Sequence, residues 1–147
     1  MTLTFFVPGL PRPQAALRAF VIRDKVTGRP RPILTHASKG LAPWRATVAL
    51  AASQALTATA QTGWLGREAV KVAFDFRFPR PPSHPKRIPP LHVVRPDVDH
   101  LIRGCNDGLT GVLWRDDSQI VEVTASKRYA KTGETVGVSV WVEKANG

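Results

Sequence analysis

Five of the seven aspartates of this chain lie within the 21 residues from Asp97 to Asp117. They are arranged as Asp97-x-Asp99, then Asp107, then the adjacent pair Asp116 and Asp117. Carboxylates are the ligands that hard cations such as Mg²⁺ prefer, and Mg²⁺ needs few of them because water and substrate phosphate complete its coordination. The spacing therefore indicates a divalent-cation site built from aspartates at the ends of secondary-structure elements.

Each acidic motif also has a structural interpretation. An Asp-x-Asp pair is commonly a helix N-cap followed by a solvated acid, and Asp116 with Asp117 is typical of a turn. Asp107 could form an ion pair with Arg103, which lies four residues earlier on the same helix face. Taken separately, each motif is more often structural than catalytic, so the metal site depends on their combination.

The chain as a whole is strongly basic. Lys and Arg number 21 against 11 Asp and Glu, which gives a net charge of +10, and 14 of the bases are Arg. Arg binds phosphate oxygens in a bidentate manner, and no basic amphipathic helix points to a membrane, so nucleic acid is the favoured partner. A basic surface that serves solubility alone is the alternative. Carboxylates inside a phosphate-binding surface would repel the ligand unless a cation bridges the two.

The candidate phosphate-binding residues lie in two basic segments that are poor in regular periodicity. Residues 8–38 are punctuated by Pro and Gly, and residues 79–96 contain seven prolines. Long loops of this kind in a compact domain are usually functional or mobile. The candidates are Arg12, Arg18, Arg23, Lys25, Arg29, Arg31, Arg80, Lys86, Arg87 and Arg95.

Residues 97–109 predict the helix that positions the first acidic pair. Asp97 is a good N-cap residue. At about 100° per residue, Asp99, Arg103 and Asp107 share one polar face of this helix. Two glycines inside it are expected to weaken the helix by about 1 kcal/mol each relative to Ala. The opposite, apolar stripe consists of Val98, Leu101, Ile102, Cys105 and Leu109.

The remaining pattern predicts an α+β fold. Residues 21–22 and 33–35 can form a short hairpin around Thr27-Gly28. The main order is strand, helix, strand, helix, strand, strand, which predicts one compact domain, residues 1–147, with a mixed sheet of about four strands packed with two helices. The strands are expected at residues 2–7, 69–78, 118–128 and 135–143, and the further helix at 42–60.

Several classes of protein are excluded by composition. A single cysteine, Cys105, leaves no intramolecular disulfide and no cysteine-based zinc cluster, and a reducing, cytoplasmic setting is the simplest expectation. No apolar run reaches the roughly 18 residues that a membrane span needs. The N-terminal segment resembles a strand and not a secretion signal. We therefore expect no membrane partner.

The acidic motifs and their order resemble the RusA-type Holliday junction resolvases. That family has an Asp-Leu-Asp-Asn-Leu helix start, an Asp-Ala-Leu further on, and a Trp-x-Asp-Asp-x-Gln-Val turn into a strand. This chain has Asp-Val-Asp-His-Leu at 97–101, Asp-Gly-Leu at 107–109 and Trp-Arg-Asp-Asp-Ser-Gln-Ile at 114–120. The Pro-rich opening at 7–13 is also similar, and Lys127 falls where the family tends to keep a Lys. Two spaced acidic motifs in the right order are more specific than either alone.

The resemblance implies a RusA-like fold and a Mg²⁺-dependent endodeoxyribonuclease, with Mn²⁺ as a substitute ion. Such enzymes act as homodimers and make paired nicks in four-way (Holliday) DNA junctions during recombination and repair. Carried over by position, the metal-binding and catalytic carboxylates are Asp97, Asp99 and Asp117, with Asp116 as the neighbouring acid. It further implies a cytoplasmic protein encoded by a bacterium or a phage.

Two positions differ from the family pattern. The Asn after the second Asp is His100 here, and the Lys on the same helix is Arg103. Arg103 and Lys127 are expected to offset the charge that develops on phosphate, although Arg cannot donate a proton near neutral pH. Two alternatives stay open: a junction-binding protein with weakened catalysis, and another metal-dependent nuclease or nucleotide-processing enzyme with the same acidic cluster.

Overall fold

The computed structural model describes residues 2–14, 17–36, 40–82 and 90–146, with the backbone alone at 17–20 and 32–36. The predicted α+β class, with a mixed four-stranded sheet and two helices, is confirmed. The strands are β1 (Thr2–Pro8), β2 (Leu17–Arg23), β3 (Pro30–His36), β4 (Val70–Phe78), β5 (Ile120–Tyr129) and β6 (Gly137–Lys144). The helices are α1 (Leu41–Ala58) and α2 (Val98–Leu109), and a 3₁₀ turn covers Asp117–Gln119.

The main sheet has the strand order β1-β6-β4-β5. Strand β6 pairs antiparallel with both β1 and β4, whereas β4 and β5 are parallel. Parallel neighbours need a long crossover connection, and here α2 lies within it. Alternate residues of β4 and β6 are buried on one face, as the period-2 pattern predicts. Both helices contact the sheet, α1 at β1 and α2 at β5.

The two helices pack closely because two glycines of α2 leave no side chain at the contact. A Cβ on Gly108 would lie 2.9 Å from the Arg45 carbonyl oxygen and 3.1 Å from the Val48 Cβ. A Cβ on Gly104 would lie 2.5 Å from the Arg12 carbonyl oxygen. The sequence analysis assigned these glycines only a cost in helix propensity. The structure gives them a second property, since any larger residue would push α2 away from α1 and from the N-terminal segment.

We expect Gly108→Ala to destabilise the protein although it raises helix propensity. The propensity gain of about 1 kcal/mol is outweighed by an overpacking cost of about 1–3 kcal/mol against α1. Urea unfolding of Ser53→Ala, at an exposed position of α1, provides the control and should show an unchanged or slightly higher free energy of unfolding. A more stable Gly108→Ala variant would contradict this account of the helix contact.

Strands β2 and β3 form a separate two-stranded sheet, which confirms and lengthens the predicted hairpin. Its turn is built by Asp24, whose Oδ1 accepts hydrogen bonds from the Val26 backbone N–H at 2.8 Å and the Thr27 backbone N–H at 3.2 Å. Gly28 follows with a φ of 68°. Since those N–H groups bind the ionised carboxylate, they lower the pKa of Asp24. The only acid of the hairpin is thus used within its own turn.

The other predicted elements lie within two residues of their expected bounds. The start of the predicted strand 118–128 is instead part of the 3₁₀ turn, and β5 begins at Ile120. Neither helix in the described ranges combines the length and the apolarity needed to cross a bilayer.

Candidate active site

The first acidic pair stands at the N-terminal end of α2. Asp97 occupies the N-cap position in an extended conformation, but its side chain makes no capping hydrogen bond. Asp97, Asp99 and His100 each place one ligand atom within 4.8 Å of the others. The Asp97 and Asp99 side chains are 61% and 75% exposed, so their oxygens are open to solvent and to a ligand.

The donor set of this cluster suits a divalent cation. The nearest carboxylate oxygens lie 3.7 Å (Asp97) and 3.9 Å (Asp99) from the two ring nitrogens of His100. Carboxylates with water suit Mg²⁺ and Mn²⁺, whereas an imidazole nitrogen is a better ligand for softer metals. The two aspartates therefore suit the predicted Mg²⁺. His100, which occupies the position of the Asn in the family pattern, lies beside them and is a poorer ligand for this ion.

Asp117 lies at the opposite end of α2. Its Oδ1 accepts hydrogen bonds from Trp114 Nε1 at 3.0 Å and from the hydroxyl of Thr110, which is the C-cap residue of the helix. A helix rises 1.5 Å per residue, so the thirteen steps from Asp97 to Thr110 span roughly 20 Å. Within one chain, the structure brings Asp97 and Asp99 together and leaves Asp117 about one helix length away.

Asp116 caps the 3₁₀ turn. Its Oδ1 accepts from the Ser118 backbone N–H at 2.8 Å, and this hydrogen bond is the main cause of the lowered pKa of Asp116. In return, the Gln119 side chain accepts from the Asp116 backbone N–H at 3.0 Å, which completes a capping box. Gln119 was not singled out by the sequence analysis, although the spacing Asp-x-x-Gln is the signature of this motif.

The polar face of α2 divides into a structural and an open part. Asp107 does not pair with Arg103: its Oδ2 accepts from Arg45 Nη2 at 2.7 Å, and the same nitrogen donates to Gln14 Oε1 at 2.6 Å. This ion pair joins α2 to α1. Arg103 is exposed and forms no hydrogen bond or ion pair with any residue that the structure describes. Its guanidinium is therefore available one turn beyond Asp99.

Lys127 holds the segment that leads into α2. Its Nζ donates to the carbonyl oxygens of Val94 at 2.6 Å and Pro96 at 2.9 Å. Two of the three ammonium donors are thus used on the backbone just before Asp97. The sequence analysis expected Lys127 at the phosphate, and the geometry favours a role in positioning Asp97.

His92 anchors the same segment at its other end. The imidazole is 7% exposed and lies between the rings of Phe78 and Tyr129, with centroid distances of 4.8 and 4.6 Å. Burial, followed by the charge of Lys127, lowers the pKa of His92. Sequence analysis could not identify this site because its two aromatic partners come from different strands, which meet only through the parallel pairing of β4 and β5.

The predicted phosphate-binding residues are distributed over three regions. The hairpin carries exposed Arg23, Lys25, Arg29 and Arg31, and for Arg18 the structure describes the backbone alone. Arg12 is half-buried beside Gly40, and Arg80 is half-buried with partners of its own. Arg95 is exposed immediately before Asp97, at a cis Arg95–Pro96 peptide bond, and Lys86 and Arg87 lie outside the described residues.

We expect acidification to weaken the His92 anchor. Below the ordinary histidine pKa of 6.5 the unfolded chain binds a proton that the buried imidazole resists, so the stability supplied by neutral His92 falls as the pH drops from 6.5 through the lowered folded-state pKa. His92→Phe keeps the ring stack without a titrating group. Urea unfolding at about pH 7.5 and about pH 5.5 should show a smaller loss of stability for His92→Phe than for the wild type. Equal losses would mean that His92 does not carry this pH dependence.

Comparison with known proteins supplies two matches. Residues 12–141 match the model of a family described as Endodeoxyribonuclease RusA. Over 38 residues the chain is 40% identical to Uncharacterized protein YqaN of Bacillus subtilis (strain 168). That alignment covers 26% of this chain and 27% of the Bacillus protein, so it spans about a quarter of each.

Proposed function

Because this chain belongs to the RusA endodeoxyribonuclease family, whose model matches residues 12–141, we propose that it is a divalent-metal-dependent endonuclease that makes paired nicks in four-way DNA junctions during recombination and repair. The observation that carries the proposal is the pair of exposed carboxylates, Asp97 and Asp99, at the start of α2. A strongly basic protein gains nothing in DNA affinity from open carboxylates unless a cation is bound between them and the phosphate.

Asp97 and Asp99 are the residues that would hold Mg²⁺ or Mn²⁺. Such an ion lowers the pKa of a bound water and stabilises charge on the leaving oxygen of a phosphodiester. The protein side chains around it supply order and charge. Lys127 fixes the backbone before Asp97 through its two carbonyl contacts, and Arg103 presents a permanent positive charge on the same helix face. Arg103 can thus bind the non-bridging phosphate oxygens as their charge develops.

A homodimer accounts for the position of Asp117. If two copies of α2 lie antiparallel about a two-fold axis, the C-terminal end of one helix approaches the N-terminal end of the other. Asp117 of one protomer would then complete the carboxylate set formed by Asp97 and Asp99 of its partner. This arrangement needs no change within the chain, whereas a site from a single chain would have to close a gap of roughly 20 Å. It also yields two equivalent sites, as paired nicking requires.

The hairpin formed by β2 and β3 is the surface that we expect to bind the DNA backbone. Its acid, Asp24, is occupied by its own turn. The exposed cations Arg23, Lys25, Arg29 and Arg31 have no ion-pair partner within the described part of the chain. Such charges bind the phosphates of DNA whatever its base sequence, which agrees with recognition of a DNA shape.

We expect Asp99→Asn to abolish Mg²⁺-dependent nicking of a synthetic four-way junction and to leave junction binding intact. Loss of a metal-ligating carboxylate should slow single-turnover cleavage by at least about 10²-fold. The phosphate contacts lie elsewhere, so the dissociation constant measured in EDTA should stay the same or decrease.

Asp107→Asn is the matched control for this experiment. It removes a carboxylate from the same face of α2, but one that pairs with Arg45. Cleavage by this variant should remain near the wild-type rate. The proposal fails if the wild type does not nick junctions in Mg²⁺ or Mn²⁺, or if Asp99→Asn cleaves as fast as Asp107→Asn.

Mixing two inactive variants tests the shared site. Asp99→Asn and Asp117→Asn should each be inactive alone, because each loses both copies of one ligand. In a mixed dimer, one of the two sites combines the intact Asp99 of one chain with the intact Asp117 of the other. An equal mixture that exchanges subunits should therefore regain about a quarter of the wild-type sites, and these should make single nicks. A mixture that exchanges subunits and stays inactive would place the whole site within one chain.

A further inference from the structure

A concave site lies beside the 3₁₀ turn and is lined by the two residues that precede Asp117 in the chain. It is a cavity of about 410 Å³ whose lining includes Gly66, Arg67, Arg115, Asp116 and Ser118. Neither arginine was among the predicted phosphate-binding residues. We propose that Arg67 and Arg115 bind a DNA phosphodiester next to the one that is cut, and so hold the strand against Asp117. The inference rests on the proposed nuclease function and adds a strand-positioning site to it.

The architecture of the cavity is fixed by a single buried side chain. Gln119 Nε2 donates to the carbonyl oxygens of Trp64 at 2.9 Å and Glu68 at 3.0 Å, and its Oε1 accepts from the Arg115 backbone N–H at 2.8 Å and that of Asp116 at 3.0 Å. All four bonding positions of the amide are therefore used. The loop that carries Arg67 and the turn that carries Arg115 are tied together, so the two arginines have fixed points of attachment on one wall.

The charge of the cavity favours an anion. Arg67 and Arg115 are exposed, and neither forms a hydrogen bond through its guanidinium or an ion pair with the residues that the structure describes. Asp116 is the one acidic side chain on the wall, and its Oδ1 is turned to the Ser118 backbone. Two guanidinium groups thus face one carboxylate on the wall, with the Glu68 carboxylate close to Gly66, and each guanidinium can bind two oxygens of a phosphate.

The position of the cavity selects a phosphodiester of the substrate strand. Arg115 and Asp116 immediately precede Asp117, whose carboxylate is held towards the end of α2. A strand whose reacting phosphate is beside Asp117 therefore passes the cavity within a short distance. Charge-assisted contacts to a neighbouring phosphate that does not react fix the position of the strand. They prevent the strand from sliding along its own axis relative to Asp117.

The test compares Arg115→Ala and Arg67→Ala with Lys131→Ala on junctions in which one phosphate at a time near the cut is a neutral methylphosphonate. Lys131 is an exposed cation after the far end of β5, roughly 30 Å along the strand from the cavity, so it controls for loss of one charge. We expect Arg115→Ala to weaken junction binding in EDTA and to slow single-turnover cleavage, each about 10-fold or more.

The decisive expectation concerns one position in the substrate. At one methylphosphonate position, the affinity of the wild type should fall by about the same factor as the Arg115→Ala substitution causes on the unmodified junction. The affinity of Arg115→Ala should not fall further when that same position is neutral. Lys131→Ala should lose the same factor at every position. The proposal would be overturned if every methylphosphonate lowered the affinity of Arg115→Ala by the same factor as it lowers that of the wild type. It would also be overturned if Arg115→Ala and Arg67→Ala both bound the unmodified junction as tightly as the wild type.

The binding arm in EDTA keeps this inference separate from the nuclease proposal. If the wild type binds junctions but cuts none, the function fails while the methylphosphonate pattern still reports on the cavity. Titration with inorganic phosphate alone distinguishes a free anion from a DNA phosphodiester. Binding of inorganic phosphate that requires Arg115, without a methylphosphonate position that matches it, would assign the cavity to a free anion and overturn the proposal.

Discussion

The contact between α1 and α2 sets the positions of the groups that matter for chemistry. Gly104 and Gly108 leave α2 in direct contact with the backbone at Arg12 and Arg45, and the Arg45–Asp107 ion pair adds a polar link at the same interface. Because interiors are close-packed and barely compressible, a helix held in this way cannot shift or rotate without disturbing the core. Both ends of α2 inherit that rigidity, and the acidic side chains stand at those ends.

The aspartates of this basic protein differ in the hydrogen bonds and ion pairs that their carboxylates form. Most are engaged by the fold: Asp24 in the hairpin turn, Asp75 with Arg128, Asp107 with Arg45, Asp116 in the capping box, and Asp117 with Trp114 and Thr110. Within the described residues, the ion-pair contacts of Asp97 and Asp99 are those with His100, at 3.7 and 3.9 Å. A carboxylate left open to solvent in a protein of net charge +10 is the exception here, and that contrast sets Asp97 and Asp99 apart from the other aspartates.

Local periodicity predicted much of the architecture. The alternation in β4 and β6 and the apolar stripe of α2 identified the buried faces, because each depends only on the geometry of one element. The parallel pairing of β4 with β5 and the stack around His92 depend on tertiary contacts that no single segment encodes. The distance between Asp97 and Asp117 is a different case. Nearness in sequence suggested one site, yet a helix of known rise lies between them and moves them apart.

The length of α2 has an evolutionary consequence. One inserted residue would extend the helix by about 1.5 Å and turn everything after it by about 100°. Gly108 and Asp107 would leave α1, and the Trp114–Asp117 turn would point away from its present direction. Such an insertion has no silent position within the twelve residues of α2, whereas the hairpin can lengthen without affecting the core. Among related chains, the length of the hairpin should therefore vary freely, whereas the length of this helix should stay constant because it sets the distance between the two acidic motifs.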